Sequence, residues 1–225
     1  MITHRTIRPR FSLLFALSAL LAATLAPATP ALAHASVLSV QPTSNTVLSQ
    51  APTTLSVSFN EPVSTSATKV QLLNGTGRVL PTRFSTLSAG SSFALKPTTR
   101  LLPGGYALRW SVLSADGHVV VGASSFWVGP VPRPGTALTV PLVAGATSSK
   151  VSLSSNKRGL VSFTPPPGTA LVEFRHAKIS APLTATLTPS SASVILPVAG
   201  SWNLTLVVKN SEFSETRFLG TFTLR

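Results

Sequence analysis

The chain has 225 residues, a formal net charge of +13 and no cysteine, so disulfide bonds are excluded. With Met1 as the one methionine, sulfur ligation of Cu(I) or of an iron–sulfur cluster is excluded as well, and a metal would need nitrogen and oxygen ligands. The basic residues stand singly apart from Lys157-Arg158, which argues against a nucleic-acid partner. We expect attraction to an anionic membrane or wall surface, the alternative being that the charge only aids solubility.

Residues 1–33 have the pattern of a secretory signal. Arginines precede an apolar run, Phe11 to Leu25, and Ala31-Leu32-Ala33 closes the segment with small residues. The run of about 15 residues is shorter than the roughly 20 that span a bilayer, which disfavours the alternative of an uncleaved anchor. We therefore expect an exported protein, periplasmic or otherwise outside the cytoplasm and in part associated with the cell surface, with His34 as its first residue.

The first half after this segment, residues 34–129, is predicted to be a β-sandwich. Short runs rich in Val, Leu, Thr, Ser and Phe alternate with Pro, Gly, Asn and Ser, and no helical period is present. Regular spacing of such runs is typical of a sandwich or a Greek-key barrel. The predicted strands are residues 36–40, 55–59, 69–73, 92–95, 106–111 and 123–128.

A proline-rich linker, residues 130–135, separates this half from a second small β-sandwich at residues 136–225. Alternation in Ser201–Val207 places Trp202 between two sheets as a core residue. The predicted strands of this half are residues 137–142, 150–153, 160–163, 170–174, 183–187, 193–197, 202–209 and 217–224.

Asp116 and His118 are the first candidates for a functional site. In extended backbone, residues at i and i+2 point to the same face, so both side chains could reach one ion. Gly117 between them either allows close approach or serves a turn. By itself Asp-Gly-His is more often a solvated loop than a site.

His34 changes the interpretation of that pair. As the first residue of the processed chain, it would offer two nitrogens, the free α-amine and the imidazole. With one nitrogen from His118 and one oxygen from Asp116, a near-planar set of three nitrogens and one oxygen suits Cu(II). Zn(II) could use the same atoms, although a terminal amine is an unusual zinc ligand. Binding requires deprotonated nitrogens, so affinity should fall below about pH 7.

Glu61 and Asp116 are the only acids between His34 and Pro130. We interpret Glu61 as an acceptor that orients the terminal amine or an imidazole N–H without ligating the metal, the alternative being a turn carboxylate that faces water. His176 has no neighbouring motif and is predicted to be structural or solvated.

At this point the residues carry a resemblance: His34 to about Val128 resembles the CopC family of secreted copper-binding proteins. The matching motifs are His34 directly after Ala-x-Ala, Gln41-Pro42, Phe59–Val63, Pro103–Tyr106 with Trp110, and Ser114–His118 running into Ser125-Phe126.

The resemblance implies a cupredoxin-like or immunoglobulin-like sandwich that holds Cu(II) through His34, Asp116 and His118, with Glu61 nearby. The methionine-rich Cu(I) site of some members is absent. Residues 136–225 look similar to the YtkA-like domain that accompanies copper-resistance proteins. Related chains often include a CopD-like membrane copper transporter, which here would be a separate partner.

Three functions are compatible with these observations. The first is a non-enzymatic Cu(II) carrier or sequestering protein. The second is a copper-dependent oxygenase that uses its terminal His, like the lytic polysaccharide monooxygenases that this site also resembles. Asp116 would occupy a copper position that such an enzyme needs open, and Tyr106 is more easily assigned to the core. The third is a metal-free surface module made of two β-sandwiches.

Overall fold

We describe a computed structural model of the chain, in residues 35–130, 135, 137–155 and 159–224. The predicted signal segment, His34 and most of the predicted linker lie outside these residues. The described residues form β-strands with one short 3₁₀ turn at Ser88–Gly90. None of them forms a helix long and apolar enough to cross a membrane. The all-β prediction is therefore confirmed.

The first half consists of two four-stranded sheets. One has the strand order β1-β3-β6-β5 and the other the order β2-β8-β7-β4. All neighbours are antiparallel except β2 and β8, which are parallel. The strands are β1 Val37–Gln41, β2 Thr46–Leu48, β3 Leu55–Phe59, β4 Ser64–Leu73, β5 Thr82–Leu87, β6 Ser92–Pro97, β7 Gly104–Leu113 and β8 Val119–Val128.

The core of this half lies between its two sheets. In β3, Leu55, Val57 and Phe59 are buried while the serines between them are partly exposed. This two-residue period matches the alternation seen in the sequence. In β7 the even-numbered residues from Tyr106 to Val112 belong to the same core, so its odd-numbered side chains face outwards.

The second half is one sheet of nine strands, in the order β13-β12-β16-β17-β9-β10-β11-β15-β14. Its strands are β9 Ala137–Ala144, β10 Thr147–Ser155, β11 Leu160–Phe163, β12 Thr169–His176, β13 Ile179–Thr184, β14 Thr186–Leu187, β15 Ala192–Ile195, β16 Gly200–Ser211 and β17 Ser214–Leu224.

The sheet is continuous across its middle, where β17 and β9 are joined at the single pair Leu219–Val143. Buried side chains from both sides of that joint, Leu142 and Trp202 among them, form one core. Trp202 is fully buried and its Nε1 donates to the carbonyl of Val198 at 2.9 Å, as expected for a core tryptophan.

Each strand predicted from the sequence overlaps an observed strand, and most of the observed strands are longer, although the predicted strand 193–197 extends two residues beyond the end of β15. The predicted strand 183–187 has the wrong bounds, because Ala185 separates β13 from β14. Two strands, β2 and β5, were not predicted at all. In β5 every side chain is at least partly exposed, so the apolar alternation that marks a strand is missing.

The two halves form one compact unit. Asn45, in the loop between β1 and β2, provides much of the bonding between them. Its amide nitrogen donates to the carbonyl of Thr184 at 2.9 Å and to the hydroxyl of Thr186 at 3.1 Å. Its amide oxygen accepts the N–H of Ile195 at 3.0 Å. A single side chain thus satisfies three groups of the second half.

Arg109 on β7 forms a second link between the halves. Its guanidinium donates to the side-chain oxygen of Gln71 and to the backbone carbonyl of Lys178. The ammonium of Lys178 returns a hydrogen bond to the carbonyl of Thr76 at 2.8 Å. These bonds hold the turn between β12 and β13 of the second half against the outer face of β7.

We expect Asn45→Gly to lower the free energy of unfolding by about 2–6 kcal/mol, because the three side-chain hydrogen bonds to the second half and the one from the hydroxyl of Ser125, each worth about 0.5–1.5 kcal/mol, are lost. Glycine is the suitable replacement, since Asn45 has a φ of 63° that alanine would strain. Urea unfolding followed by tryptophan fluorescence gives the value. Asn210→Gly, at an exposed position with one side-chain bond to Thr216, is the control. Equal shifts for the two variants would contradict the assigned role of Asn45.

Candidate metal centre

A tight turn between β7 and β8 positions the predicted ligands. The two strands pair over ten rows, from Gly104–Val128 to Leu113–Val119. The amide of Ser114 then donates to the carbonyl of His118 at 2.9 Å, and the amide of Gly117 donates to the carbonyl of Ser114 at 3.0 Å. Of the two roles that the sequence left open for Gly117, the structure has the turn, with a φ of 84°.

The Asp116 carboxylate is fixed by the turn that contains it. Its Oδ1 accepts hydrogen bonds from the hydroxyl of Ser114 and, at 3.1 Å, from the amide of His118. The side chain of Asp116 is only 16% exposed. Because two donors fix Oδ1, the orientation of Oδ2 is set by the backbone of the turn.

Asp116 Oδ2 and His118 Nδ1 lie 3.1 Å apart. An imidazole nitrogen and a carboxylate oxygen at neighbouring corners of a square, each about 2.0–2.2 Å from one divalent ion, would be separated by about 3 Å. The turn therefore brings the two side chains together at a spacing compatible with shared ligation, although they do not lie on an extended strand. The imidazole is 65% exposed, so it is open to solvent.

Glu61 lies at the same end of the sandwich. Ser64 pairs with Leu113, and continuing this antiparallel register places residues 61–63 alongside the turn. The Oε1 atom of Glu61 is buried and has no hydrogen-bond partner among the described residues. Burying a carboxylate oxygen without a hydrogen-bond donor costs free energy. This atom is therefore suited to accept a hydrogen bond from an N–H group.

The first described residues of the chain are held next to Glu61. The amide of Ser36 donates to Oδ1 of Asn60 at 2.6 Å, and the amide of Asn60 donates to the carbonyl of Ser36 at 3.0 Å. Ala35 is buried. The backbone just after position 34 is therefore anchored at the residue that precedes Glu61.

His34 lies outside the described residues, so its part in the site stays a prediction. Within residues 35–130, 135, 137–155 and 159–224, no three His, Asp or Glu side chains are grouped closely enough to hold one ion. Glu61 does not complete such a group with Asp116 and His118. A third ligand would have to come from elsewhere, and the prediction assigns it to His34.

Sequence reasoning gave no role to Ser114 or to Asn60. Ser114 is buried and its hydroxyl contacts both the Asp116 carboxylate and the carbonyl of His118, the latter at 3.1 Å. A serine two residues before an Asp-Gly pair is a recognisable turn signal, so this contact could have been predicted. The bond between Asn60 and Ser36 joins positions 24 residues apart and leaves no local pattern.

His176 and Tyr106 have structural surroundings. The ring of His176 lies 4.8 Å from that of Trp202, and burial lowers the pKa of His176. The Tyr106 hydroxyl donates to the carbonyl of Leu102 at 2.7 Å, and burial raises the pKa of Tyr106. Tyr106 is therefore a core residue, as predicted, and His176 packs against the core of the second half.

The family of the first half follows from a comparison with protein-family models. Residues 37–129 match the model described as the CopC domain. This segment is a CopC domain. The matched residues include strand β1, Glu61 and the turn between β7 and β8 that contains Asp116 and His118. The resemblance of residues 136–225 to a YtkA-like domain stays a prediction. No curated protein matches the chain.

Solved structures similar to the chain include a CopC protein and a PcoC protein. CopC from Methylosinus trichosporium OB3b is 23% identical, with a TM-score of 0.40, and the match covers 44% of this chain and 98% of that one. PcoC from Escherichia coli, described as a methionine-rich copper resistance protein, is 22% identical, with a TM-score of 0.39 and coverage of 43% and 99%. Tandem immunoglobulin domains of titin are 14% identical, with a TM-score of 0.25 and coverage of 83% and 95%.

We expect Gly117→Val to destabilise the CopC domain by about 1–2 kcal/mol, because a β-branched residue is strained at positive φ. Crowding is not involved, since a Cβ at this position would meet no atom within 4 Å. Gly117→Asn is the matched variant, because asparagine tolerates this conformation, and it should cost less. Urea unfolding of both variants gives the comparison. Equal losses would show that the turn does not need this backbone conformation.

Proposed function

We propose that the chain is an exported, non-enzymatic Cu(II)-binding protein. In this proposal, the α-amine and imidazole of His34, the imidazole of His118 and the carboxylate of Asp116 hold the ion. The observation that carries the proposal is the 3.1 Å approach of Asp116 Oδ2 and His118 Nδ1 at the end of a CopC domain.

The described residues fit a site that is completed by an amino terminus. Glu61 offers a buried oxygen without a donor, and an amine or imidazole N–H is the group that such an oxygen accepts. The bonds between Ser36 and Asn60 anchor the chain next to this carboxylate. Glu61 would thus orient a nitrogen ligand through a hydrogen bond while remaining outside the ligand set.

Donor chemistry favours Cu(II) among the divalent ions. Three nitrogens and one carboxylate oxygen suit an ion with tetragonal geometry. Among the divalent first-row transition metals, Cu(II) binds such ligands most tightly. The chain has no sulfur ligand for Cu(I) after Met1. PcoC is a copper resistance protein, which is consistent with this choice, although that role belongs to PcoC.

Carrying or sequestering copper is the task that we assign to the site. A carboxylate fixed in the turn would occupy a copper position, which disfavours oxygen activation. Tyr106 is buried, and its hydroxyl donates to the carbonyl of Leu102 just before β7. The part of the chain described therefore offers no exposed tyrosine for such chemistry. A separate CopD-like membrane transporter would receive the ion, and the basic surface would favour an anionic membrane or wall.

Copper titration of a chain that begins at His34 tests the proposal. We expect one Cu(II) per chain, and His118→Ala and Asp116→Ala should each weaken binding more than Glu61→Gln does. For Glu61→Gln we expect about a tenfold loss, because an orienting partner is removed and the ligands are kept. Competition with a chelator of known affinity gives the constants.

Two variants in the second half serve as controls. His176→Ala removes an imidazole, and Glu212→Ala removes an exposed carboxylate, without touching the CopC domain. Both should bind Cu(II) as the unchanged chain does. The proposal would be wrong if His118→Ala and Asp116→Ala matched these controls.

A further inference from the structure

An apolar surface adjoins the metal centre on the outer side of the CopC domain. We call it the open face, formed by the outward residues Ser111 and Leu113 of β7 and Val119 and Val121 of β8. These residues lie in adjacent rows, since Ser111 pairs with Val121 and Leu113 with Val119. Val119 is 64% exposed and Val121 is 49% exposed. Val119 directly follows the ligand His118.

The same outer surface is covered at its other end. Further along β7 and β8, Ala107 and Ala123 pack against the core of the second half, and Arg109 bonds to Lys178. The second half of the chain therefore covers one part of the outer face of these two strands and leaves the other part exposed. The open face continues that interface up to the metal centre.

The groups of the centre differ in how far a partner could reach them. Glu61 Oε1 is buried and the Asp116 side chain is mostly covered, whereas the His118 imidazole is 65% exposed. A macromolecule seated on the open face would meet His118 first. Apolar contact there would also exclude water from the ligands, which strengthens the polar interactions between partners.

Charge favours one kind of partner. Lys69 is exposed and lies in the row of Ser111 and Val121. Residues 35–130 contain six Lys and Arg and two acids, and both acids belong to the metal centre. The CopC domain as a whole therefore carries a net positive charge, and Lys69 places one of its cations beside the open face. A second copy of this chain would be repelled, and an acidic protein would be attracted.

We propose that the open face docks an acidic protein with an apolar contact surface, which exchanges Cu(II) with the centre. This inference rests on the proposed function. A protein fits better than a lipid surface, because it can present ligands to the ion at His118. The exchange replaces ligands one by one: each donor of this chain leaves with its electron pair, and a donor of the partner binds the ion instead. The ion remains Cu(II), so no oxidant or reductant is required.

Site-specific photocrosslinking of the full chain in the cells that secrete it identifies the partner. A benzophenone side chain at position 121 should form an adduct with an acidic protein. The same group at position 87 should not, although Leu87 on β5 is equally exposed at 49%. The captured protein is then purified and mixed with the Cu(II)-loaded chain.

Transfer of Cu(II) to that protein should be saturable and should slow about tenfold in Val121→Glu, which replaces an apolar contact with a charge that repels the partner. Leu87→Glu should transfer at the unchanged rate. Chelator competition checks the centre separately, and all three chains should hold Cu(II) equally well. If the unchanged chain fails to bind Cu(II), the proposed function is wrong. If the unchanged chain binds Cu(II) but Val121→Glu transfers it at the same rate, the docking proposal alone is wrong.

Three other results would overturn the docking proposal. One is an adduct between two copies of this chain only. Another is binding of vesicles of phosphatidylglycerol and phosphatidylethanolamine that Val121→Glu abolishes, with no protein adduct. The third is the same adducts at positions 121 and 87.

Discussion

The hydrogen bond from the Ser114 hydroxyl to the Asp116 carboxylate is the interaction on which the proposed centre depends. It fixes one carboxylate oxygen inside the turn, and the amide of His118 holds the same atom. The other oxygen is thereby directed to the imidazole. The ten-row pairing of β7 and β8 holds the turn in place, so the two predicted ligands, Asp116 and His118, are already side by side in the chain alone.

The second half stabilises the sheet that presents this turn. Asn45 and Arg109 bond to it from opposite sides of β8, and its core includes Ala107 of β7. The strands that lead to the ligands are thus covered at one end and open at the other. This arrangement leaves His118 accessible, whereas Oε1 of Glu61 is buried.

Much of this could be predicted from the sequence, because the decisive patterns are local. Alternation in β3 and in β16 gave their strands, and the spacing of Asp116 and His118 gave the pair. The scarcity of acids singled out Glu61. The contacts of Asn45 with Thr184 and Ile195 could not be predicted, since they join residues about 140–150 positions apart and leave no periodic signal. Strand β5 was missed because its side chains are exposed on both faces.

Electron paramagnetic resonance of Cu(II) tests the central claim, that the processed amino terminus completes the centre. The sample is a chain shown by intact mass to begin at His34, compared with one that carries a single additional residue before it. We predict a one-to-one tetragonal signal with nitrogen couplings that is lost or strongly altered in the extended chain. An identical signal from both chains would contradict ligation by the α-amine, and the absence of any protein-bound signal would contradict the copper site itself.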